Sequence, residues 1–340
     1  MTHFRMPAEW EPQSAIWTSW PHNLETWPDN LLEAQAEWIE LVRLIAQTEP
    51  VSVMVPPQEM ETLGSRLGER ANIQLLPIET NDAWARDYAP TFVHDELTKE
   101  VVAIDWYYNA WGEKYPPFDS DQQVAKRVAD WLELRHLAGG LCAEGGAVEI
   151  SEAGVLLTTR SCLLNSNRNP GADAGDVERL LKNRLGCQQV VWLPGDLAGS
   201  PVIAGDDTDA HVDQIARFVN NDTIVHAWVA AEDPRRESLA RNVGSLAKQL
   251  PEVRLVPLML PQPFRHCDRD IPASYCNFLI CNEFVVVPQF GVPEDQAALQ
   301  AIQALFDDRE VVPLASRNLS VGLGSFHCLT QQQSRIVTDQ

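Results

Sequence analysis

The strongest constraint on the fold is a layout that recurs along the chain: a short polar motif, a strand-like run, a turn signal, then a second strand-like run. Glu144-Gly145-Gly146 leads into Ala147-Val148-Glu149-Ile150, a turn at Glu152-Ala153-Gly154, and Val155-Leu156-Leu157-Thr158-Thr159. His211-Val212-Asp213 leads into residues 215–219, a turn at Asn220-Asn221-Asp222, and residues 223–226. Residues 274–280 are followed by Asn282-Glu283 and then 284–287. Each pair reads as a β-hairpin. Between the hairpins, stretches 122–134, 175–185, 235–250 and 293–306 carry apolar residues at helical spacing. The motifs at Asp87, Glu144, His211, Tyr275 and Cys328 recur at roughly 50–70 residues, the range of repeated supersecondary units. Five units would fill the chain, and a ring of them would bring the start of every hairpin to one central point. Composition alone leaves open an ordinary α/β sheet with irregular insertions.

Charge and cysteine content exclude several classes. The formal net charge is -22, which argues against nucleic acid and anionic membranes and suits a cationic ligand. Seven cysteines in no tight pairs read as a reduced intracellular chain without a structural zinc site. The start lacks an apolar leader and no long apolar run follows, so a cytoplasmic location is expected. An apolar fraction of 45% with 11 tryptophans supplies a sizeable core, and one domain over 1–340 is expected, since no linker divides the chain.

Four motifs carry chemistry. Cys328 lies in Gly324-Ser325-Phe326-His327-Cys328, Asp87 in Trp84-Ala85-Arg86-Asp87, Glu144 before two glycines, and His211 and Asp213 at the end of Gly205-Asp206-Asp207-Thr208-Asp209-Ala210. Taken alone, the aspartates from Asp206 to Asp213 with His211 also suit a hard metal ion. The chain has no HExxH and no second HxH or HxD, so a hydrolytic metal centre would be under-ligated, and no metal or cofactor is expected. A guanidinium is planar, delocalised and permanently charged, so its carbon is a poor electrophile. Two carboxylates gripping its nitrogens orient it, a thiolate attacks the carbon, and a histidine protonates the departing nitrogen and then activates water. Asp87 and Asp213 fit the grip, Cys328 the nucleophile, His211 the acid and base, and Glu144 the carboxylate beside His211.

These residues resemble the guanidine-modifying superfamily, and most closely the agmatine deiminase and bacterial peptidyl-arginine deiminase-like family. The likeness runs along nearly the whole chain, through Met6-Pro7-Ala8-Glu9-Trp10, Asn109-Ala110-Trp111-Gly112, Cys162-Leu163-Leu164-Asn165, Val287-Pro288-Gln289-Phe290-Gly291 and His327-Cys328-Leu329-Thr330. It implies a pentein α/β-propeller of five ββαβ-like units. It gives Cys328, His211, Asp87, Asp213 and Glu144 the roles above, and implies hydrolysis of agmatine to N-carbamoylputrescine and ammonia. Deimination of free or peptidyl arginine, amidino transfer and a non-catalytic relative are the alternatives. Trp84 and Trp106 are expected to wall the substrate, a small guanidino cation. A homodimer is compatible with the sequence, which does not fix the oligomeric state. Leu323, Ser325, Ala210 and Ala143 depart from the family pattern, and Leu323 and Ser325, beside the nucleophile, point to a different substrate tail. Arg160 and Arg168 are candidates for a substrate carboxylate.

Overall fold

The computed structural model describes residues 3–68, 71–196 and 201–336. In it the recurring layout becomes a recurring sheet. Strands Thr91–Asp95 and Glu100–Tyr107 form an antiparallel hairpin, helix Val124–Trp131 crosses over, and Arg135–Cys142 pairs parallel with the second strand. A parallel neighbour needs such a crossover, because a tight turn cannot return the chain in the same direction. The second unit repeats this with Glu149–Ile150, Val155–Thr159, helix Ala174–Leu185 and Gln189–Leu193. The third uses Ala216–Asn220, Thr223–Trp228, helix Arg236–Gln249 and Arg254–Met259. The fourth uses Leu279–Ile280, Phe284–Gln289, helix Asp295–Gln303 and Glu310–Ala315.

Both chain ends build the fifth unit. Thr330–Ser334 pairs antiparallel with Gln13–Ser19, helix Leu31–Ile45 follows, and Val51–Met54 lies parallel to Gln13–Ser19, with Ile73–Leu76 beyond it. The helices form for local reasons. Ala174–Leu185 is capped by Asp173, whose side chain accepts from the Asp176 amide. It buries Val177, Leu181 and Leu185 at four-residue spacing and ends at Gly186, whose φ of 71° closes it in the left-handed conformation. The largest fully buried side chains include Trp17, Trp20, Trp27 and Trp38, all in the core beneath the fifth unit.

Each unit opens with a tight turn rather than directly with a strand. Residues Tyr275–Asn277, expected in a strand, form a single 3₁₀ turn, as do Val212–Gln214, and the strands begin after them. The bend suits polar residues because their backbone groups bond across to the next turn instead of along a ladder. The turns form a closed circle. The Gly146 amide donates to Asp87 Oδ1 (3.0 Å), and His211 Nε2 lies 3.5 Å from Glu144. Ser274 Oγ donates to the Gln214 carbonyl (2.6 Å), the His327 amide to the Asn277 carbonyl (3.3 Å), and the Arg86 amide to the Cys328 carbonyl (3.1 Å). Five separate sheets in a ring, not one continuous sheet, settle the architecture left open by composition.

Arg217 fastens several units from inside. It is fully buried and donates to Glu149 (2.8 Å), to Glu9 (2.6 Å) and to the carbonyls of Cys276 (3.2 Å) and Phe278 (2.9 Å). Removing one member of a buried ionic cluster leaves the others desolvated and unpaired. Arg217→Met is expected to cost about 3–5 kcal/mol, read as a lower urea midpoint. A loss below about 1 kcal/mol would mean that the cluster contributes no more than a surface pair.

Candidate active site

At the centre of the ring the side chains of all five turns meet. Cys328 Sγ lies 3.7 Å from Asp213 Oδ2, accepts from Asn277 Nδ2 at 3.1 Å and has Gln214 Nε2 at 3.9 Å. Asp87 Oδ2 accepts from Trp111 Nε1 (2.9 Å), and Asp87 Oδ1 lies 3.7 Å from His211 Nδ1. Glu144 Oε2 faces His211 Nε2, while its Oε1 accepts from Arg168 Nε (2.7 Å). Asp213 Oδ2 accepts from His327 Nδ1 (2.8 Å). Among the described residues, the buried polar atoms without a hydrogen-bond partner include both ring nitrogens of His211 and Oδ1 of Asp213. Orphaned buried groups cost stability, and a cluster of them marks where a polar ligand completes the bonding.

Gly146 makes this convergence sterically feasible. A Cβ there would meet His211 Nδ1 at 2.6 Å, Asp87 Oδ1 at 2.9 Å and Asp213 Oδ2 at 3.1 Å. Only hydrogen fits between the three side chains. Gly145 is equally constrained, since a Cβ would lie 2.1 Å from the Arg86 carbonyl oxygen.

A cavity of about 580 Å³ leads to this centre, with Asp87, Trp84 and Cys328 in its wall. His211, Asp213 and Glu144 are buried deeper and do not line it. Its outer part is lined by residues 22–26, by Lys114 and Tyr115, and by Asp207 and Arg269.

Burial and crowded carboxylates set the protonation states. Burial, reinforced by Asp213 and Asp87, holds the Cys328 thiol well above its usual range, against the Ser325 backbone and Asn277. Burial pushes Asp87 up to about 6, with Asp213 and Glu144 adding to the effect and His211 opposing it. For Asp213 burial acts upward, but the hydrogen bond and charge of His327 outweigh it and hold the carboxylate low. Glu144 is likewise held low despite burial, chiefly by Arg168. Burial disfavours charge on His211, yet Asp87, Cys162 and Glu144 raise it well above its ordinary value. The empty site therefore pairs a protonated thiol with a protonated imidazole among acidic groups.

Two expectations need correction. Trp106 does not wall the cavity: its Nε1 donates to Thr91 (2.9 Å), and its ring packs in the core under the first unit, against Gly139. The strand that carries it turns this face inward, and the tryptophan of this run that reaches the site, beside Trp84, is Trp111, in a left-handed turn after the strand (φ 58°). Arg160 and Arg168 are already committed, the first over the Trp192 ring, the second to Glu144 and Asp209. The aspartates from Asp206 to Asp209 do not converge as metal ligands. Asp206 accepts from Thr208 and the Ala210 amide, Asp207 from Tyr115, and Asp209 from Lys114 and Arg168. Of the departures near the nucleophile, Leu323 lines the cavity in a left-handed conformation (φ 80°), whereas Ser325 is bonded to Ser316. Sequence reasoning misses Asn277, Gln214 and Glu9, and it gives Arg168 a different role from the one it has beside Glu144. Glu9 and Asn277 lie in the quoted Met6-to-Trp10 motif and the fourth-unit opening, which was the available signal.

The profile of the Porphyromonas-type peptidyl-arginine deiminase family matches residues 5–334. The chain belongs to that family. An agmatine deiminase of Pseudomonas aeruginosa is 34% identical over 358 residues, spanning 97% of this chain and 95% of that protein. The solved agmatine deiminase of Enterococcus faecalis superposes with a TM-score of 0.91 at 29% identity, covering 98% of this chain and 97% of that one. A C. jejuni agmatine deiminase with a cysteine-to-serine change and substrate bound gives 0.89 at 26% identity, covering 98% and 96%. The five-unit ring is thus the pentein α/β-propeller, as the family resemblance implies.

Because Gly146 leaves no room for a methyl group, Gly146→Ala would displace His211 or a carboxylate by a fraction of an ångström to an ångström. Misplacement on this scale costs about 100-fold, and kcat/KM is expected to fall at least that far while the protein remains folded. A variant with circular dichroism and activity both unchanged would show that the three side chains do not act from these positions.

Proposed function

We propose that this chain is a hydrolase that deiminates agmatine to N-carbamoylputrescine and ammonia through a covalent adduct on Cys328. The observation that carries this reading is the placement of Cys328 between Asp87 and Asp213 at the base of the cavity, with His211 behind them. The family and the agmatine deiminase relatives support it.

The sequence of steps follows from the charges. A guanidinium seated between Asp87 and Asp213 offsets the two carboxylates that hold the thiol protonated, so substrate binding favours release of the thiol proton to solvent. The Cys328 thiolate then attacks the guanidinium carbon, and the electron pair of a C=N bond moves onto nitrogen. His211, protonated at rest, gives its proton to the departing nitrogen, ammonia leaves, and a thiouronium adduct remains. Neutral His211 next takes a proton from water as the water attacks the same carbon. The C–S bond breaks, returning the thiolate, and the adduct's remaining hydroxyl proton passes to solvent as the carbonyl forms, releasing the neutral ureido product. Glu144 steadies the imidazolium in both directions, and Arg168 steadies Glu144. The chemistry uses no group beyond these side chains.

The tail of the substrate extends toward Asp207 and residues 22–26. Free arginine is the second reading, favoured by Lys114 and Arg269 in the cavity wall. Each is already paired with a carboxylate, Asp209 and Asp207 respectively, so a substrate carboxylate would have to break an existing pair. An unpaired carboxylate costs roughly 2–5 kcal/mol, and kcat/KM for agmatine is expected to exceed that for arginine by at least about 30-fold. Faster ammonia release from arginine or a blocked arginine peptide would overturn the agmatine assignment.

Cys328→Ala is expected to lose turnover by about 10⁴-fold or more while retaining agmatine affinity within a few-fold by calorimetry, because the carboxylate grip does not involve sulfur. The pH profile provides an independent check. Asp87 must be ionised to grip a cation, so kcat/KM rises with pH through about 6 and declines below it. An acidic limb that survives unchanged in Asp87→Asn would assign that titration to another group.

A further inference from the structure

We propose that Asp29, His266 and Cys267 form a zinc-binding clip across the mouth of the cavity, outside the catalytic centre. His266 ends the first strand of the hairpin Phe264–His266/Arg269–Ile271, and Cys267 opens its two-residue turn. Asp29 comes from the segment that follows the cavity-lining residues 22–26. One ligating atom from each of the three residues lies within 4.8 Å of the others. Asp29 Oδ2 and Cys267 Sγ are 3.5 Å apart. A tetrahedral zinc with Zn–S of ~2.3 Å and Zn–O of ~2.0 Å separates its sulfur and oxygen ligands by ~3.5 Å. The spacing is already that of a shared ion.

Three further observations point the same way. Nε2 of His266 is buried and has no hydrogen-bond partner among the described residues. Cys267 adopts a φ of 52° at the first turn position, where a hairpin normally carries glycine, so a side chain is kept at a position that disfavours one. The hairpin's two arginines do not repel a cation freely, because Arg265 is paired with Asp270 and Arg269 with Asp207. Thiolate, imidazole and carboxylate together are a borderline-soft set that selects zinc or cobalt over calcium or magnesium, with water in the fourth position. On binding, the Cys267 thiol proton leaves to solvent, and metal bonds replace the thiol–carboxylate contact.

The location gives the clip a consequence. Thr26, three residues before Asp29, and Arg269, two residues after Cys267, both line the cavity. A metal joining Asp29 to the hairpin ties the two rims together and restricts passage of substrate. Occupancy therefore raises KM and leaves kcat largely unchanged.

The test uses the full chain, stripped with a chelator and desalted. Zinc titrated against a chromophoric chelator should reveal one more tight equivalent per chain in the native protein than in Cys267→Ser or Asp29→Asn. Cobalt should give a thiolate-to-metal charge-transfer band that Cys267→Ser abolishes. Both readouts are independent of turnover, so they stand or fall separately from the deiminase assignment. Equal stoichiometry in native and variant proteins, or a band that persists in Cys267→Ser through Cys162 or Cys328, overturns the site. With agmatine, zinc should raise KM several-fold, reversibly on adding chelator, in the native chain only. Equal inhibition of native and variant enzymes would place zinc on the catalytic thiol and overturn the clip.

Discussion

The whole centre depends on one carboxylate oxygen. Glu9 Oε2 accepts from Arg217 (2.6 Å) and from His327 Nε2 (2.8 Å), and all three side chains are buried. Burial opposes its ionisation, but Arg217 and His327 hold it charged. His327 in turn gives its other ring nitrogen to Asp213. His327 thus bridges two buried carboxylates, one ring nitrogen facing Glu9 and the other Asp213. The N-terminal segment, the third unit and the turn that carries the nucleophile are thereby joined through one chain of charge-assisted bonds. Such a chain is costly to desolvate, and its return is orientation: Asp213 is fixed beside Cys328 before any substrate arrives.

The same economy explains the resting chemistry. Two carboxylates, Asp213 and Asp87, beside a buried thiol make a poor place for a thiolate, and burial together with them holds the thiol neutral. A permanently charged guanidinium reverses that balance, while a neutral ligand cannot. In the proposed reaction the carboxylates thus act twice, as the grip on the substrate and as the device that keeps the nucleophile inactive without it. Reactive thiols usually sit in electropositive surroundings. Here the positive charge arrives with the substrate.

Much of this was legible in the sequence because the signals are local. Alternating apolar runs and four-residue spacing mark hairpins and helices wherever the burial face is fixed by the strand or helix itself, as at Val155–Thr159 and Ala174–Leu185. Their repetition then places Asp87, Glu144, His211 and Cys328 at equivalent points. Position within a turn was not legible. Trp106 and Trp111 are five residues apart in one aromatic run, and only the left-handed backbone after Tyr107 decides which reaches Asp87. The partners Glu9 and Asn277 were invisible as partners for another reason. Each contacts the nucleophile's turn across a long stretch of chain, and nothing in the intervening sequence encodes that pairing.

Leu323 shows where the general chemistry ends and the particular substrate begins. Its backbone is left-handed, the conformation a glycine takes without strain, yet it carries an isobutyl group into the cavity wall near Cys328. The proposed roles of the thiol, the carboxylates and His211 do not require that group, and a branched side chain there takes up space in the cavity wall that also holds Cys328. On the proposed reading the guanidinium centre is general and is filtered from outside, by Leu323 and by the paired charges Lys114–Asp209 and Arg269–Asp207 in the outer wall. Selectivity in this chain lies in what a substrate must slide past, since the head group is gripped alike whatever is attached to it.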